Sequence, residues 1–164
     1  MIRMNKLVVF LSICLFSACE AMPRPAVRVV KFDALQHLMT RDSDHIEVIN
    51  FWATWCKPCI KELPYFQSLH NNMADKVNVT LISLDFADVL HEKVIPFVMK
   101  RRLTPEVWLL DEIDYNSWID RVDPSWSGAI PATLIINHQT GERKFVEREL
   151  GEGEIEQMIK ELSN

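Results

Sequence analysis

The sequence predicts one α/β domain with a mixed central sheet and helices on both faces. Three observations lead there. Apolar, β-branched runs at 46–51, 77–84 and 131–136 alternate with segments whose apolar residues recur at helical spacing. A Gln139-Thr140-Gly141 turn follows the last of these runs and reads as a hairpin. At 164 residues, 48% of them hydrophobic and with no repeats or low-complexity tracts, the chain suits one core. The net charge of −5 comes from 18 Lys and Arg against 23 Asp and Glu. That balance, without a basic cluster, excludes nucleic acid as the main partner.

The elements follow in order. Arg3 and Lys6 precede an apolar run at 7–16, then small residues and Cys19. This is the order of a secretory signal peptide over 1–18, with an apolar run too short to span a bilayer as a permanent helix. A Cys after small residues resembles the lipobox of bacterial lipoproteins, although Phe16 stands where Leu is usual. The resemblance implies that Cys19 is acylated, with residues 19–26, containing Pro23 and Pro25, as a tether. An ordinary signal peptide and an uncleaved anchor are the alternatives, and all three place a domain over 27–164 outside the cytoplasm. Residues 27–31 read as a strand, and Asp33 as the N-cap of a short helix through Met39. Residues 41–44 read as a polar turn and 46–51 as a buried strand. The helix at 57–73 aligns Ile60, Leu63, Phe66, Leu69 and Met73, with Pro64 expected to kink it. A strand at 77–84, a helix at 89–101, a short strand at 107–110 and a helix at 112–122 come next. The strands at 131–136 and 143–146 pair through the hairpin, and a helix at 152–162 closes the chain.

The chemistry concentrates in Phe51-Trp52-Ala53-Thr54-Trp55-Cys56-Lys57-Pro58-Cys59, between a buried strand and a helix start. A thiolate is the nucleophile of sulfur exchange, and unpaired N–H groups at a helix start stabilise it, by up to roughly 2 kcal/mol when partly buried. Lys57 adds a positive charge beside Cys56, and Pro58 stiffens the first turn without loss of a hydrogen bond. Cys56, at the helix start, reads as the exposed attacking sulfur. Cys59, one turn in, reads as the resolving one. Trp55 reads as a group that shapes the site. A zinc site needs four ligands, and no second Cys pair exists; His37, His45, His70, His91 and His138 lack ligand spacing. An inert disulfide closing so small a loop gains little.

On this block the chain resembles the thioredoxin superfamily, and within it the TlpA/ResA-like extracytoplasmic group. Asn50, Glu62 and the stretch Gly128-Ala129-Ile130-Pro131-Ala132-Thr133 match as well. The resemblance implies a thioredoxin-like three-layer sandwich with an insertion at 86–128, between the cysteine helix and the Pro131 strand. It implies that Glu62 tunes the active-site thiols. It also implies a cis Ile130–Pro131 bond that sets the Ile130 backbone beside the sulfurs to pair with an extended substrate. Trp108, Trp118 and Trp126, inside the expected insertion, read as core before ligand surface.

The implied function is reduction of disulfides in extracytoplasmic proteins, such as apocytochrome cysteines in cytochrome c biogenesis. A membrane electron donor would recharge the dithiol, with no cofactor besides the sulfur pair. Oxidase or isomerase activity, a non-enzymatic surface lipoprotein or metallochaperone on the same fold, and a thiol peroxidase are the competing readings. A lone peroxidatic Cys in a different motif sets the last apart. Glu62 as a merely solvated helix residue is the plain alternative for that position.

Overall fold

The computed structural model describes residues 27–163; the expected signal segment, Cys19 and the tether lie outside them. Six strands form one sheet in the order β1-β4-β3-β2-β5-β6: β1 (Arg28–Val30), β2 (Ile46–Trp52), β3 (Val77–Ser83), β4 (Glu106–Leu110), β5 (Ala132–Asn137) and β6 (Arg143–Val146). β1, β4, β3 and β2 run parallel, while β5 is antiparallel to β2 and β6 to β5. Among the described residues five α-helices cover it: α1 (Phe32–Thr40), α2 (Lys57–Met73), α3 (Ile95–Arg101), α4 (Ile119–Val122) and α5 (Glu154–Glu161).

Side chains alternate across a strand, so β2 feeds two cores. Val48 and Trp52 pack with Leu63, Phe66, Leu69, Val98 and Ile155 from α2, α3 and α5. Ile49 and Phe51 pack on the other face with Leu35 and Leu38 of α1, Trp118 just before α4 and Val122 of α4. The same alternation sets Asn50 on the α2 side, opposite Thr133 of β5. This is the mixed sheet with helices on both faces that the pattern predicts.

Three local expectations give way to tertiary context. Asp33 does not cap α1: the helix starts at Phe32 with Lys31 at the N-cap, and the Phe32 N–H donates to Glu112 Oε1 at 3.3 Å, a partner from eighty positions away. The expected helix at 89–101 divides into a 3-10 turn (Ala87–Val89), a π turn (Leu90–Val94) and α3. Pro96 is the reason: it has no N–H and would clash with a preceding turn, so the chain widens and restarts with proline in the first turn. The expected helix at 112–122 is a 3-10 turn (Tyr115–Ser117) followed by the single turn of α4. There the Ser117 hydroxyl and N–H both donate to Asp114 O, at 2.7 and 3.1 Å, a local alternative to helix bonding.

The stretch 86–128 therefore supplies β4, an interior strand, together with Val94 and Val98 on one sheet face and Trp118, Val122 and Trp126 on the other. Trp108, Trp118 and Trp126 are all buried. Trp118 stacks near Phe32 and Phe51, with centroids at 6.1 and 6.4 Å, and meets Trp126 edge-on at 5.5 Å.

Candidate active site

β2 ends at Trp52, and four residues later the chain enters α2 with Cys56 at the N-cap. Cys56 and Cys59 are joined by a disulfide, with Cα atoms 5.3 Å apart. The Cys59 N–H, one of the unpaired donors of the helix start, points at Cys56 Sγ from 3.3 Å. Cys56 is buried at 5% exposure rather than the exposed sulfur the sequence predicts, but Cys59 has none, so of the two only Cys56 opens to the surface. Pro58 occupies the first turn and is exposed, as is Lys57; Trp55 is 66% exposed beside the bridge.

The Ile130–Pro131 bond is cis. It brings Ile130 O to 3.8 Å from Cys56 Sγ. The loop before it is held from two sides. Glu147 accepts the Ser127 and Ala129 N–H groups at 3.2 and 2.9 Å, and the Ser127 hydroxyl as well. Trp126 Nε1 donates to Ala129 O at 2.8 Å. Gly128 turns the loop at φ +93°, and a Cβ there would stand 3.1 Å from the Ile119 side chain.

Behind the bridge lies a buried polar group. Glu62 sits three residues after Cys59 on the same face of α2, wholly buried. Its Oε1 accepts from Asn50 Nδ2 at 2.8 Å, and its Oε2 from the Leu150 N–H at 2.8 Å. Asn50 also donates to Thr133 Oγ1 at 3.1 Å. Burial pushes the Glu62 carboxyl up to about 7, against the two hydrogen bonds that favour its ionised form. A carboxyl poised there is present in both protonation states at neutral pH and can pass a proton to, or take one from, the sulfur one turn away. This burial removes the solvated alternative for Glu62.

The sequence did not point to Asp85 or Glu147. Asp85, 3% exposed, follows β3 and anchors the loop that carries Cys56. It accepts from the Thr54 N–H at 2.9 Å, the Thr54 hydroxyl at 2.6 Å and the Ser83 hydroxyl at 2.8 Å. The only available signal was the abrupt Ser83-Leu84-Asp85 polarity after an apolar strand; nothing local marked Glu147. Among the described residues no group of three or more His, Cys, Asp and Glu side chains is placed to hold a metal.

Residues 34–141 match the AhpC/TSA family. The chain is 37% identical over 73 residues to the thioredoxin-like protein YneN of Bacillus subtilis, a match that covers 42% of each chain. It is 36% identical over 110 residues to the thiol-disulfide oxidoreductase ResA of Bacillus cereus, 67% of this chain and 57% of that relative. The chain thus spans about half the length of the curated relatives it matches. A thioredoxin-related protein from Neisseria meningitidis serogroup B superposes with a TM-score of 0.64 at 21% identity, over 75% of this chain and 88% of that one. The fold is thioredoxin-like.

Proposed function

Because the chain belongs to the AhpC/TSA family, and carries a bridged Cys-x-x-Cys at a helix start in a thioredoxin-like fold, we propose that it is a thiol–disulfide oxidoreductase acting as a reductase. The observation that carries this reading is the pairing of a reachable Cys56 with a sealed Cys59, backed by the buried Glu62. In the reduced protein the Cys56 thiolate attacks one sulfur of a substrate disulfide. A mixed disulfide forms and one substrate thiolate leaves. The Cys59 thiol, deprotonated with Glu62 as acceptor, then attacks Cys56 Sγ. The second substrate thiolate leaves, takes up a proton, and the Cys56–Cys59 bridge is restored. A dithiol donor returns two electrons and two protons to the bridge by the same exchange.

The Ile130 backbone flanks the attacking sulfur and supplies a place for one extended substrate strand. The site acts outside the cytoplasm, on extracytoplasmic protein disulfides such as those of apocytochromes. Residues 1–18 export the chain, Cys19 carries lipid, residues 27–164 form the working domain, and the donor is a membrane protein. The names of the matched relatives support the exchange chemistry; the leader and Cys19 support the location.

The reduction potential of the Cys56–Cys59 couple tests the direction. A value near about −270 mV, the thioredoxin range, supports the reductase; one near about −120 mV, the DsbA range, assigns the oxidase instead. Failure of the dithiothreitol-reduced domain to open any protein disulfide would remove the oxidoreductase reading altogether.

A further inference from the structure

An apolar hollow of about 310 Å³ opens beside the bridge, lined by Trp55, Ile130, Tyr115 and Leu84 among others. Leu84 and Tyr115 also line a second, neighbouring hollow of about 240 Å³, whose wall includes Phe86 and Ile113. Trp55, Phe86 and Ile113 are 66%, 61% and 76% exposed, a band of large apolar side chains in contact with water. Such bands on a protein surface mark places where a partner sits. The outer end is acidic: the segments 85–88 and 111–114 carry five Asp and Glu and no Lys or Arg. Three of these are already engaged, Asp85 with Thr54, Asp111 with Lys31 and Glu112 with the Phe32 N–H. Asp88 and Asp114 are exposed and join none of the ion pairs among the described residues.

We propose that this groove selects the substrate: an extended polypeptide segment with an apolar side chain next to its disulfide and a Lys or Arg a few residues further out. The inference rests on the oxidoreductase reading and names the substrate class of that site. Ile130 belongs both to the groove and to the wall of the sulfur site, so a segment bonded at Cys56 enters the hollow within a residue or two. An extended chain advances about 3.3 Å per residue, and Leu84 and Tyr115, which border both hollows, lie between the Ile130 wall and the acidic segments. A second copy of this chain, with its net charge of −5, is repelled by the same rim.

The test uses synthetic disulfide-bonded peptides that differ only in one apolar or serine residue beside the cysteine, and in Lys or Glu beyond it. The reduced protein should favour the apolar–Lys peptide over the apolar–Glu one by about tenfold in kcat/KM, a preference that shrinks with added salt. The Lys preference should fall towards one in Asp88→Lys/Asp114→Lys, and the apolar preference in Phe86→Ser. Equal kcat/KM for all peptides, or preferences unchanged in both variants, would overturn the groove. Hydroxyethyl disulfide serves as the small uncharged control. If the wild-type protein turns it over but shows no peptide preference, the groove is wrong and the oxidoreductase reading stands. If it turns over neither, that reading fails. Concentration-dependent dimerisation that quenches Trp55 would assign the surface to a second copy and also overturn the proposal.

Discussion

Replacing Glu62 by Gln separates the energetic part of the buried carboxyl from its chemistry. Both neighbours of the carboxyl, Asn50 Nδ2 and the Leu150 N–H, are donors. Gln offers one acceptor oxygen where Glu offers two, so one buried donor loses its partner, at about 1–3 kcal/mol at any pH. The charge acts in the opposite direction. In the folded protein the carboxyl titrates at about 7 and in the unfolded chain at its ordinary 4.5. Between these values the folded state keeps a proton that the unfolded chain has released. Stability from this group is therefore complete below pH 4.5, declines as pH rises, and is lost above about 7. At 1.36 kcal/mol per pH unit the loss amounts to about 3 kcal/mol. Gln has no such loss. Urea denaturation of the oxidised protein, in which neither cysteine titrates, should show the variant less stable than wild type at about pH 4.5. The difference should move in favour of Gln by about 3 kcal/mol by about pH 8. Stability curves that stay parallel across this range would refute the burial argument. The same variant, reduced, should exchange more slowly with a small disulfide and lose the inflection near neutral pH; an unchanged pH–rate profile would deny Glu62 a part in proton transfer.

Cys56→Ser should abolish exchange, whereas Cys59→Ser should accumulate mixed disulfides visible by mass spectrometry, because only Cys56 is reachable from outside; faster alkylation of Cys59 than Cys56 in the reduced protein would reverse the two roles. Asp85→Ala leaves the Thr54 N–H and two hydroxyls without their acceptor, so we expect a loss of about 1–3 kcal/mol in denaturation and a slower reaction at Cys56. An Asp85→Ala protein as stable and active as wild type would show that the Cys56 loop holds its shape unaided. Cys19→Ala should release the protein from the membrane pellet on cell fractionation; retention with an intact leader would identify residues 7–16 as an uncleaved anchor.

Much of this molecule can be read from short-range pattern. The strand alternation around Val48 to Trp52, the 3.6-residue stripe of α2 and the turn at Gln139-Thr140-Gly141 each depend on neighbours a few positions apart, and the sheet with helices on both faces followed from them. The Cys56–Cys59 spacing at a helix start declared sulfur chemistry for the same local reason. Spacing also put Glu62 on the Cys59 face of α2. Whether that face was wet or sealed depended on the Leu150 loop, eighty-eight positions away, which buries the carboxyl and lifts its pKa. The Asp85 clamp on Thr54, the Glu147 hold on the loop before Pro131 and the Glu112 cap on α1 span thirty-one, eighteen to twenty, and eighty positions. Local propensity carries no information at such range. The same distance explains why 112–122 is not a helix: Trp118 is fixed by Phe32 and Phe51, from other elements, while Asp114 and Ser117 bond locally. Sequence by itself determined the sheet strands, the cysteine helix and the reactive pair; packing decided how 87–101 and 112–122 fold and which polar groups are dry, because burial is a property of the assembled core.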